Sequence, residues 1–335
     1  MRIAINGFGR IGRCIARVVA NNPNFDLVAI NTLGPEADLA GYCAYLLKHD
    51  SIHGLWHEQV SVAGSYINFG RQSPVIISHA APDQCNWGEL DVDVLLECTG
   101  CFTSREKASL HLAAGAKKVL VSAPGTDLDA TVVYGINQEV ITADTNLISN
   151  ASCTTNALAP VVKVLDDLAG VEYGLMNTIH AVTGDQALID GMHKDWRRGR
   201  AAMDSMIPTG TGAARAIGLV LPHLKGKLDG FAIRVPTNNV SVIDLTVSLK
   251  NQVSINDINN AIVTAANTSL NKILATTDQP LVSIDFLGNT ASSIFDLTQT
   301  RALGGMYKCL IWYDNETGFA NRMLDTAKVL GVSYA

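Results

Sequence analysis

Residues 2–13 read RIAINGFGRIGR, an apolar run that leads directly into three glycines. The run at 2–6 predicts a buried strand, and residues 11–20 have the apolar spacing of a helix. The glycines fit the pattern G-x-G-x-x-G as Gly7, Gly9 and Gly12. That pattern is weak by itself in a chain with 28 glycines. Between a strand and a helix, however, it indicates a turn that binds the pyrophosphate of a dinucleotide.

The alternation that begins at this turn continues through the first half of the chain. Further strands are predicted at 27–31, 92–98 and 119–122, and a helix is predicted at 105–114. Strands that alternate with helices are typical of a doubly wound parallel sheet, the Rossmann arrangement of an α/β protein. We therefore expect a dinucleotide-binding domain that covers residues 1–151.

The second half has a different pattern. Its longer segments are rich in β-forming residues and predict a mixed α/β domain with a mainly antiparallel sheet, over residues 152–315. Strands are predicted at 174–180, 231–236 and 241–249, and helices at 157–168, 255–266 and 320–330.

The composition narrows the class of protein. The chain has 335 residues, which favours two domains, and its 47% hydrophobic content excludes global disorder. A net charge of −6 argues against a broad electrostatic attraction to nucleic acid or to an anionic membrane. The sequence has no apolar run of about 18 residues, no signal-peptide pattern at its start, and seven scattered cysteines that do not indicate a disulfide framework. We expect a cytoplasmic protein with no membrane or nucleic-acid partner.

The end of the second predicted strand bears on the choice of cofactor. Dinucleotide-binding turns of this type are followed about 20 positions later by an acidic residue that bonds the ribose 2′-OH. Here Asn31 is followed by Thr32, and the first carboxylate belongs to Glu36. Without an acid, no charge repels a 2′-phosphate, which favours NADP. The alternative is that the Thr32 hydroxyl bonds the ribose and that either NAD or NADP is used.

A cysteine and a histidine form the candidate catalytic pair. Cys153 precedes the predicted helix at 157–168, where backbone N–H groups and the helix dipole stabilise a thiolate. His180 lies at the end of the predicted strand 174–180. A Cys/His pair is the usual arrangement for an activated sulfur nucleophile. A buried cysteine that acts as a small hydrophobic residue and a structural histidine are the alternative on spacing alone.

The glycine turn and the cysteine segment together resemble phosphorylating glyceraldehyde-3-phosphate dehydrogenases. The resemblance covers nearly the whole chain. The segments that carry it are 6–13, 48–54, 122–124, 149–156, 193–198, 207–214, 234–237 and 312–316. It implies that the domain 152–315 is catalytic and that a C-terminal helix, 316–335, returns to the first domain. It also implies a homotetramer in which the loop 194–200 reaches the cofactor of a neighbouring subunit.

The resemblance implies a specific reaction. The thiolate of Cys153 would attack the aldehyde of glyceraldehyde-3-phosphate to form a hemithioacetal. His180 would favour the thiolate, bond the developing oxyanion and accept a proton as hydride leaves for the nicotinamide. Inorganic phosphate would then cleave the thioester to give 1,3-bisphosphoglycerate.

The resemblance also assigns binding residues. Hydroxyls, backbone amides and guanidinium groups are the groups that bind tetrahedral anions. The pocket for the substrate phosphate would contain Thr183 and Arg234. The pocket for inorganic phosphate would contain Ser152, Thr154, Arg198, Thr211 and Gly212. The cofactor would contact Gly7, Gly9, Arg10, Ile11, Gly12, Thr32, Thr99, Gly100, Ser122 and Asn315, where the backbone amides at 10 and 11 face the pyrophosphate and the amide at 315 holds the carboxamide.

Three positions depart from the family pattern. Thr32 stands where NAD-dependent members carry Asp, and residues 191–192, Gly-Met, stand where many bacterial members carry Leu-Pro. Both changes favour NADP. Residues 79–82 lack an arginine that commonly precedes Asp-Pro, so one partner for a 2′-phosphate is missing. We therefore expect that both NADP and NAD are used.

Two rival functions and two weaker motifs complete the sequence-based picture. An erythrose-4-phosphate dehydrogenase hydrolyses its thioester with water, but it lacks the Thr-Gly of a phosphorolytic pocket, which is present here at 211–212; the Asp-Gln at 185–186 resembles its loop. A catalytically retired binding protein would not need Cys153 and His180.

The C-x-x-C at 98–101 has no second cysteine pair, and the histidines at 49, 53 and 57 lack the spacing of a metal site, so no metal is expected.

Overall fold

The structure, a computed structural model, describes residues 1–332. These residues form two compact units. The first unit consists of Met1–Tyr134, Gln138–Ala151 and residues 320–332, and the second consists of Gly135–Asn137 and Ser152–Phe319. The final part of the predicted C-terminal helix, residues 333–335, lies outside the described residues.

The first unit, within the described residues, contains a nine-stranded sheet in the order β3-β4-β5-β2-β1-β6-β7-β9-β8. Its strands are β1 Arg2–Asn6, β2 Asp26–Asn31, β3 Val60–Ala63, β4 Tyr66–Phe69, β5 Val75–Ile77, β6 Val94–Glu97, β7 Lys118–Val121, β8 Ala130–Thr131 and β9 Leu147–Ser149. Its helices are α1 Arg10–Val19, α2 Leu39–Lys48 and α3 Arg105–Ala113. All pairings are parallel except those of β3 with β4 and of β4 with β5. The expected doubly wound parallel sheet is therefore confirmed.

Several elements of this unit lie outside the predicted set, among them the hairpin β3–β4, helix α2 and the strands β5, β8 and β9. The hairpin β3–β4 turns at Gly64 and Ser65, and Gly64 has a φ of +62°. A glycine in a two-residue connection between alternating segments is a recognised hairpin signal, so this element was open to prediction. Helix α2 is capped by the Asp38 side chain, which accepts from the Gly41 amide. The cap could have indicated this helix.

The second unit, again within residues 1–332, contains an eight-stranded mixed sheet, with β11-β12-β10-β13-β17-β15-β14 in order and β16 paired to β17. Its strands are β10 Val171–Ala181, β11 Ile207–Gly210, β12 Leu228–Val235, β13 Ser241–Leu249, β14 Leu274–Thr277, β15 Ser293–Asp296, β16 Arg301–Leu303 and β17 Met306–Tyr313. Its helices are α4 Cys153–Ala169, α5 Ile217–Val220 and α6 Ile255–Asn267, and α7 Thr317–Val332 begins in this unit. Short 3-10 helices occur in both units. Those of the first unit are Pro82–Gln84 and Gln138–Val140, and those of the second are Pro222–Leu224, Ser283–Phe286 and Leu297–Gln299. The mainly antiparallel sheet is confirmed. It has two parallel pairs, one formed by β10 and β12 and the other by β14 and β15.

The pleat of β10 sorts its residues between two faces of the sheet. Met176, Thr178 and His180 are buried, and α4 packs against β10 and β13. On the alternate positions, Tyr173 is 65% exposed and Leu175 is 68% exposed. Because successive side chains of a strand point to opposite faces, this sheet has one covered face and one face with exposed apolar side chains.

The helices of both units are too short or too polar to cross a bilayer. Within residues 1–332 there is no helix with both the length and the apolar character that a membrane crossing requires.

Candidate active site

Cys153 is the first residue of helix α4. Its neighbour Ser152 caps the helix, because the Ser152 hydroxyl accepts a hydrogen bond of 3.1 Å from the Thr155 amide. The cap leaves the cysteine in the first turn, where the amide dipoles point toward the side chain. The sequence-based placement of Cys153 at a helix N-terminus is confirmed.

The side chain of His180 reaches this cysteine from strand β10. Its Nε2 lies 3.5 Å from the Cys153 Sγ, and its Nδ1 lies 2.7 Å from the carbonyl oxygen of Ala181. A carbonyl only accepts hydrogen bonds, so we assign the ring hydrogen to Nδ1. The Arg234 Nη1 also lies 3.1 Å from this nitrogen, but its two hydrogens are taken by the Ala181 carbonyl at 3.0 Å and the Thr183 hydroxyl at 2.9 Å. The Nε2 lone pair then faces the thiol, which is the tautomer that a general base needs.

The site favours neutral forms of both groups. Burial lowers the pKa of His180 to about 3, and the Arg234 guanidinium acts in the same direction. Burial also raises the pKa of the Cys153 thiol, although Arg234 and hydrogen bonds at Thr154 oppose that shift. The structure therefore favours a thiol that donates to a neutral imidazole.

A buried tyrosine lies behind this pair. The Tyr313 hydroxyl is 2.9 Å from the Thr154 Oγ1 and 2.8 Å from the Thr178 Oγ1. The edge of its ring faces the His180 ring at a centroid distance of 6.0 Å. The Thr154 hydroxyl, which the resemblance assigns to the phosphate pocket, is bonded to Tyr313, and the residue is 4% exposed.

Two arginines, Arg234 and Arg198, and the carboxylates of Asp185 and Asp195 form a charged cluster beside His180. In the parallel pairing of β10 and β12, Arg234 lies opposite His180. The Arg234 Nη1 donates to the Thr183 hydroxyl at 2.9 Å, and that hydroxyl donates to Asp185 at 2.5 Å. The other oxygen of Asp185 accepts from Arg198 at 2.7 Å. The structure thus brings Thr183, Arg198 and Arg234 together around Asp185.

The remaining phosphate candidates lie in the turn after β11. The Thr211 hydroxyl accepts from the Ala213 amide at 3.2 Å, and a Cβ built on Gly212 would meet no atom within 4 Å. The Thr155 hydroxyl donates to the Ala213 carbonyl at 3.4 Å, which joins this turn to the start of α4. A turn with open space at Gly212 can admit an anion close to the backbone.

In the first unit, the glycines have the geometry of a dinucleotide-binding turn. Gly7 has a φ of +98°, and a Cβ on Gly12 would lie 2.2 Å from the Gly7 oxygen. A Cβ on Gly9 would meet nothing within 4 Å. Among the described residues, no side chain caps helix α1. Two glycines are therefore required by the turn itself, and the third leaves space beside a helix N-terminus that fits a pyrophosphate.

Other cofactor candidates line the ends of neighbouring strands. A Cβ on Gly7 would lie 2.8 Å from the Thr99 amide nitrogen, so Thr99 packs directly on the turn. Gly100 has a φ of +73° and open space at its Cβ position, and the Ser122 amide donates to the Glu97 carbonyl. Thr32 directly follows β2, and its amide donates to the Ile77 carbonyl at 3.1 Å. In the second unit, the Asn315 side-chain oxygen accepts from the Ser241 hydroxyl at 2.9 Å.

Comparisons with known proteins identify the family. Residues 1–105 match the family described as the NAD binding domain of glyceraldehyde 3-phosphate dehydrogenase, and residues 152–315 match its C-terminal domain. The chain belongs to the glyceraldehyde 3-phosphate dehydrogenase family. It is 55% identical to the glyceraldehyde-3-phosphate dehydrogenase of Xanthobacter flavus over 334 residues, which cover 99% of this chain and 98% of that protein.

Other relatives in this family have similar coverage. The chain is 50% identical over 334 residues to the plasmid glyceraldehyde-3-phosphate dehydrogenase of Cupriavidus necator, covering 98% of both chains. It is 48% identical over 336 residues to the glyceraldehyde-3-phosphate dehydrogenase of Pseudomonas aeruginosa, covering 99% of both chains.

Three residues of the site are not identified by the sequence pattern. Tyr313 and Thr178 form the buried hydroxyl pair behind Cys153, and Asp185 joins the two arginines. In the sequence Asp185 stands out only for its resemblance to a rival loop. The partner of Asp185, Arg198, lies 13 positions later in the chain, so no local charge pattern marks this ion pair. Tyr313 could not be identified in this way, because its position depends on the pairing of strand 306–313 with β13, which the sequence does not specify.

The lowered pKa of His180 predicts an effect on stability. The unfolded chain takes up a proton at this residue below about pH 6.5, whereas the folded chain does so only near pH 3. Between these values the free energy of unfolding should fall by roughly 1.4 kcal/mol per pH unit from this group alone. Denaturant unfolding of the wild type and of His180→Asn, measured from pH 7 to pH 4, should show a shallower decline for the variant. Parallel curves would contradict the lowered pKa.

Proposed function

We propose that this chain is an oxidoreductase that converts glyceraldehyde-3-phosphate and inorganic phosphate into 1,3-bisphosphoglycerate, or catalyses the reverse reaction, with NADP or NAD as cofactor. The observation that carries the proposal is the 3.5 Å contact of the Cys153 Sγ with the His180 Nε2, beside the cluster of Arg234, Arg198 and Thr183. The names of the relatives support the same reaction. They do not favour the alternative erythrose-4-phosphate dehydrogenase.

The catalytic steps use the Cys153–His180 pair. In the proposed reaction the thiol transfers its proton to the His180 Nε2 as the sulfur adds to the aldehyde carbon and forms a hemithioacetal. The imidazolium then bonds the new oxyanion, which offsets the low pKa of the ring. The imidazolium next returns this proton to the oxyanion, and the neutral ring accepts it again from the resulting hydroxyl as the carbon loses hydride and becomes a thioester. The nicotinamide, when bound, supplies the acceptor for the hydride.

The anion pockets follow from the charged cluster. We assign the substrate phosphate to Arg234 and Thr183, since both lie next to His180. We assign inorganic phosphate to Ser152, Thr154, Arg198, Thr211 and Gly212. In the structure Asp185 bonds both Thr183 and Arg198, so a bound phosphate would compete with this carboxylate for their donors. The competition would turn Asp185 away when both anions are present.

The dinucleotide turn is the proposed cofactor site. The open space at Gly9 and the start of α1 would hold the pyrophosphate at the amides of Arg10 and Ile11. Thr99, Gly100 and Ser122 would line the neighbouring strand ends. Asn315, held by Ser241, would bond the carboxamide and so orient the nicotinamide ring.

Exposed apolar side chains of the second unit support a homotetramer, which we place in the cytoplasm. Phe231 of β12 is 50% exposed on the face that carries Tyr173 and Leu175, and Trp196 of the loop 194–200 is 90% exposed. Burial of such side chains against further copies of this chain would remove their apolar surface from water. The seven cysteines carry free thiols, as expected in a reducing compartment.

The first kinetic test concerns the reaction itself. Cys153→Ser should abolish aldehyde oxidation, because a hydroxyl is far less acidic than a thiol, while cofactor affinity stays unchanged. His180→Asn should lower kcat by about 10²- to 10⁴-fold. Cys101→Ser, a change at an exposed cysteine, is the matched control and should retain wild-type kcat. Product should form only when phosphate is added, and phosphate-independent turnover would instead indicate thioester hydrolysis.

The second test concerns the 2′ position of the cofactor. Thr32 carries no charge, so the wild type should use NADP well and still use NAD. Thr32→Asp should shift the ratio of kcat/KM values toward NAD by about fivefold or more, because a like-charge contact at a partly shielded site costs ~1 kcal/mol or more. Asparagine has the size of aspartate but no charge, so Thr32→Asn is the control. It should leave the ratio of kcat/KM values near that of wild type. A wild type that prefers NAD by about a hundred-fold would contradict this assignment.

The third test concerns assembly. Light scattering coupled to size-exclusion chromatography should give the mass of four chains. Leu175→Glu on the exposed sheet face should give a smaller assembly, because it would bury a carboxylate without a partner. Glu172→Gln on the same strand is a control that should leave the mass unchanged. A wild-type mass of one chain would refute the tetramer.

A further inference from the structure

Glu97 is a buried carboxylate that the proposed reaction does not use. It ends strand β6, and 0% of the residue is exposed. Cys98, Thr99 and Gly100 follow it, and Cys98 and Thr99 pack on Gly7. A carboxylate without contact to solvent is costly unless hydrogen bonds compensate for its lost hydration.

Four donors converge on this carboxylate. The Oε2 accepts from the Asn6 amide at 2.5 Å and contacts the His111 Nε2 at 3.0 Å. The Oε1 accepts from the Thr99 backbone amide at 2.7 Å and from the Thr99 hydroxyl. A carboxylate satisfies donors on both oxygens, whereas a carboxamide has only one accepting atom. The site therefore specifies a carboxylate.

The hydrogen on His111 is set by a neighbouring tryptophan. The Trp87 Nε1 lies 3.1 Å from the His111 Nδ1, and both residues are 0% exposed. An indole N–H can only donate, so the Nδ1 must accept. The hydrogen of His111 is then on Nε2 and points to Glu97. The hydrogen bonds therefore run from Trp87 to His111 and from His111 to Glu97.

The network continues to the glycine turn and to the end of β2. The Asn6 Oδ1 accepts from the Asn31 side-chain amide at 2.7 Å. Asn31 also bonds both backbone groups of His79, at 2.9 Å and 2.8 Å. Asn6 directly precedes Gly7, and Asn31 directly precedes Thr32. Three strand ends that the proposed cofactor site uses are thus connected to one carboxylate.

We propose that Glu97 is a positioning residue for the dinucleotide, which holds the Gly7 turn, the Thr32 strand end and the Thr99–Gly100 loop in the spacing that the cofactor requires. The inference rests on the proposed function, because it assigns these three segments to the cofactor. Glu97 acts through Asn6 and Thr99 and does not itself touch the ligand.

The substitution Glu97→Gln shows why the charge matters. If the NH₂ of the introduced carboxamide took the Oε2 position, it would direct N–H groups at two donors, Asn6 and His111. If the NH₂ took the Oε1 position, it would face the Thr99 amide. Rotation of the Asn6 amide does not relieve the conflict, because its Oδ1 already accepts from Asn31. Each arrangement leaves a buried donor opposed by another donor.

The test measures cofactor binding without aldehyde or phosphate. Calorimetric titration of NAD and of NADP into Glu97→Gln should show a dissociation constant raised by about ten- to a hundred-fold, the range expected when hydrogen bonds to a charged group are lost. At saturating cofactor, kcat and the KM for the aldehyde should change by less than about threefold, a smaller change than the one in binding. Asn6→Ala, which breaks the same network at a second residue, should raise the dissociation constant as well and decides the question if Glu97→Gln does not fold.

The matched control is Gln72→Leu. Gln72 is buried in the connection between β4 and β5, and its side chain makes three hydrogen bonds, to backbone groups of Leu27, Val19 and Phe25 near the opposite end of β2. The control substitution should lower the thermal midpoint and leave the dissociation constant unchanged. The proposal is overturned if the folded Glu97→Gln or Asn6→Ala protein binds both cofactors like wild type, or if Gln72→Leu weakens binding equally. Absence of aldehyde oxidation in a wild type that binds cofactor would refute only the proposed function, since the titration does not involve the aldehyde.

Discussion

The register of β10 against β12 and β13 is the constraint on which the candidate active site depends. In this register His180 lies opposite Arg234, and Thr178 faces the same covered side of the sheet. A slip of one residue would move His180 to the exposed face, since side chains alternate along a strand. Burial of Met176 and its neighbours on the covered face therefore sets the position of the imidazole. The packing of apolar side chains on the covered face thus fixes where His180 lies relative to Arg234.

Burial has an electrostatic consequence in the same place. It disfavours both the imidazolium of His180 and the thiolate of Cys153, so the pair is neutral before substrate arrives. Arg234 stabilises negative charge on sulfur and opposes positive charge on the imidazole. Asp185 offsets part of the positive charge of Arg234 and Arg198, because it bonds Arg198 directly and is linked to Arg234 through the Thr183 hydroxyl. In the proposed reaction the ionic form of the pair arises only as the sulfur adds to the aldehyde.

The parts of the structure that depend on local sequence were predictable. The turn at Gly7–Gly12 follows from steric requirements within a few residues, and the placement of Cys153 at a helix start follows from the Ser152 cap. The strand at 241–249 has its predicted bounds because its apolar alternation is strong. The fold class followed from the order of these elements. The roles of the phosphate and cofactor residues depended on resemblance, because spacing alone leaves a single Thr or Arg ambiguous.

The rest depends on contacts between residues that are far apart in the chain. Tyr313 and Thr154 are 159 positions apart, and Asn6 and Glu97 are 91 apart. A sequence pattern reports which face of a strand is apolar, but it does not report which strand lies beside it. Glu97 illustrates the consequence, because the sequence shows only an acidic residue within the predicted strand 92–98, whereas the structure buries it completely. The proposed role depends on the parallel pairing of β1 and β6, which brings Asn6 and Glu97 together, and on helix α3, which places His111 beside them. These contacts lie at the carboxyl ends of the strands, which is where doubly wound sheets bind ligands.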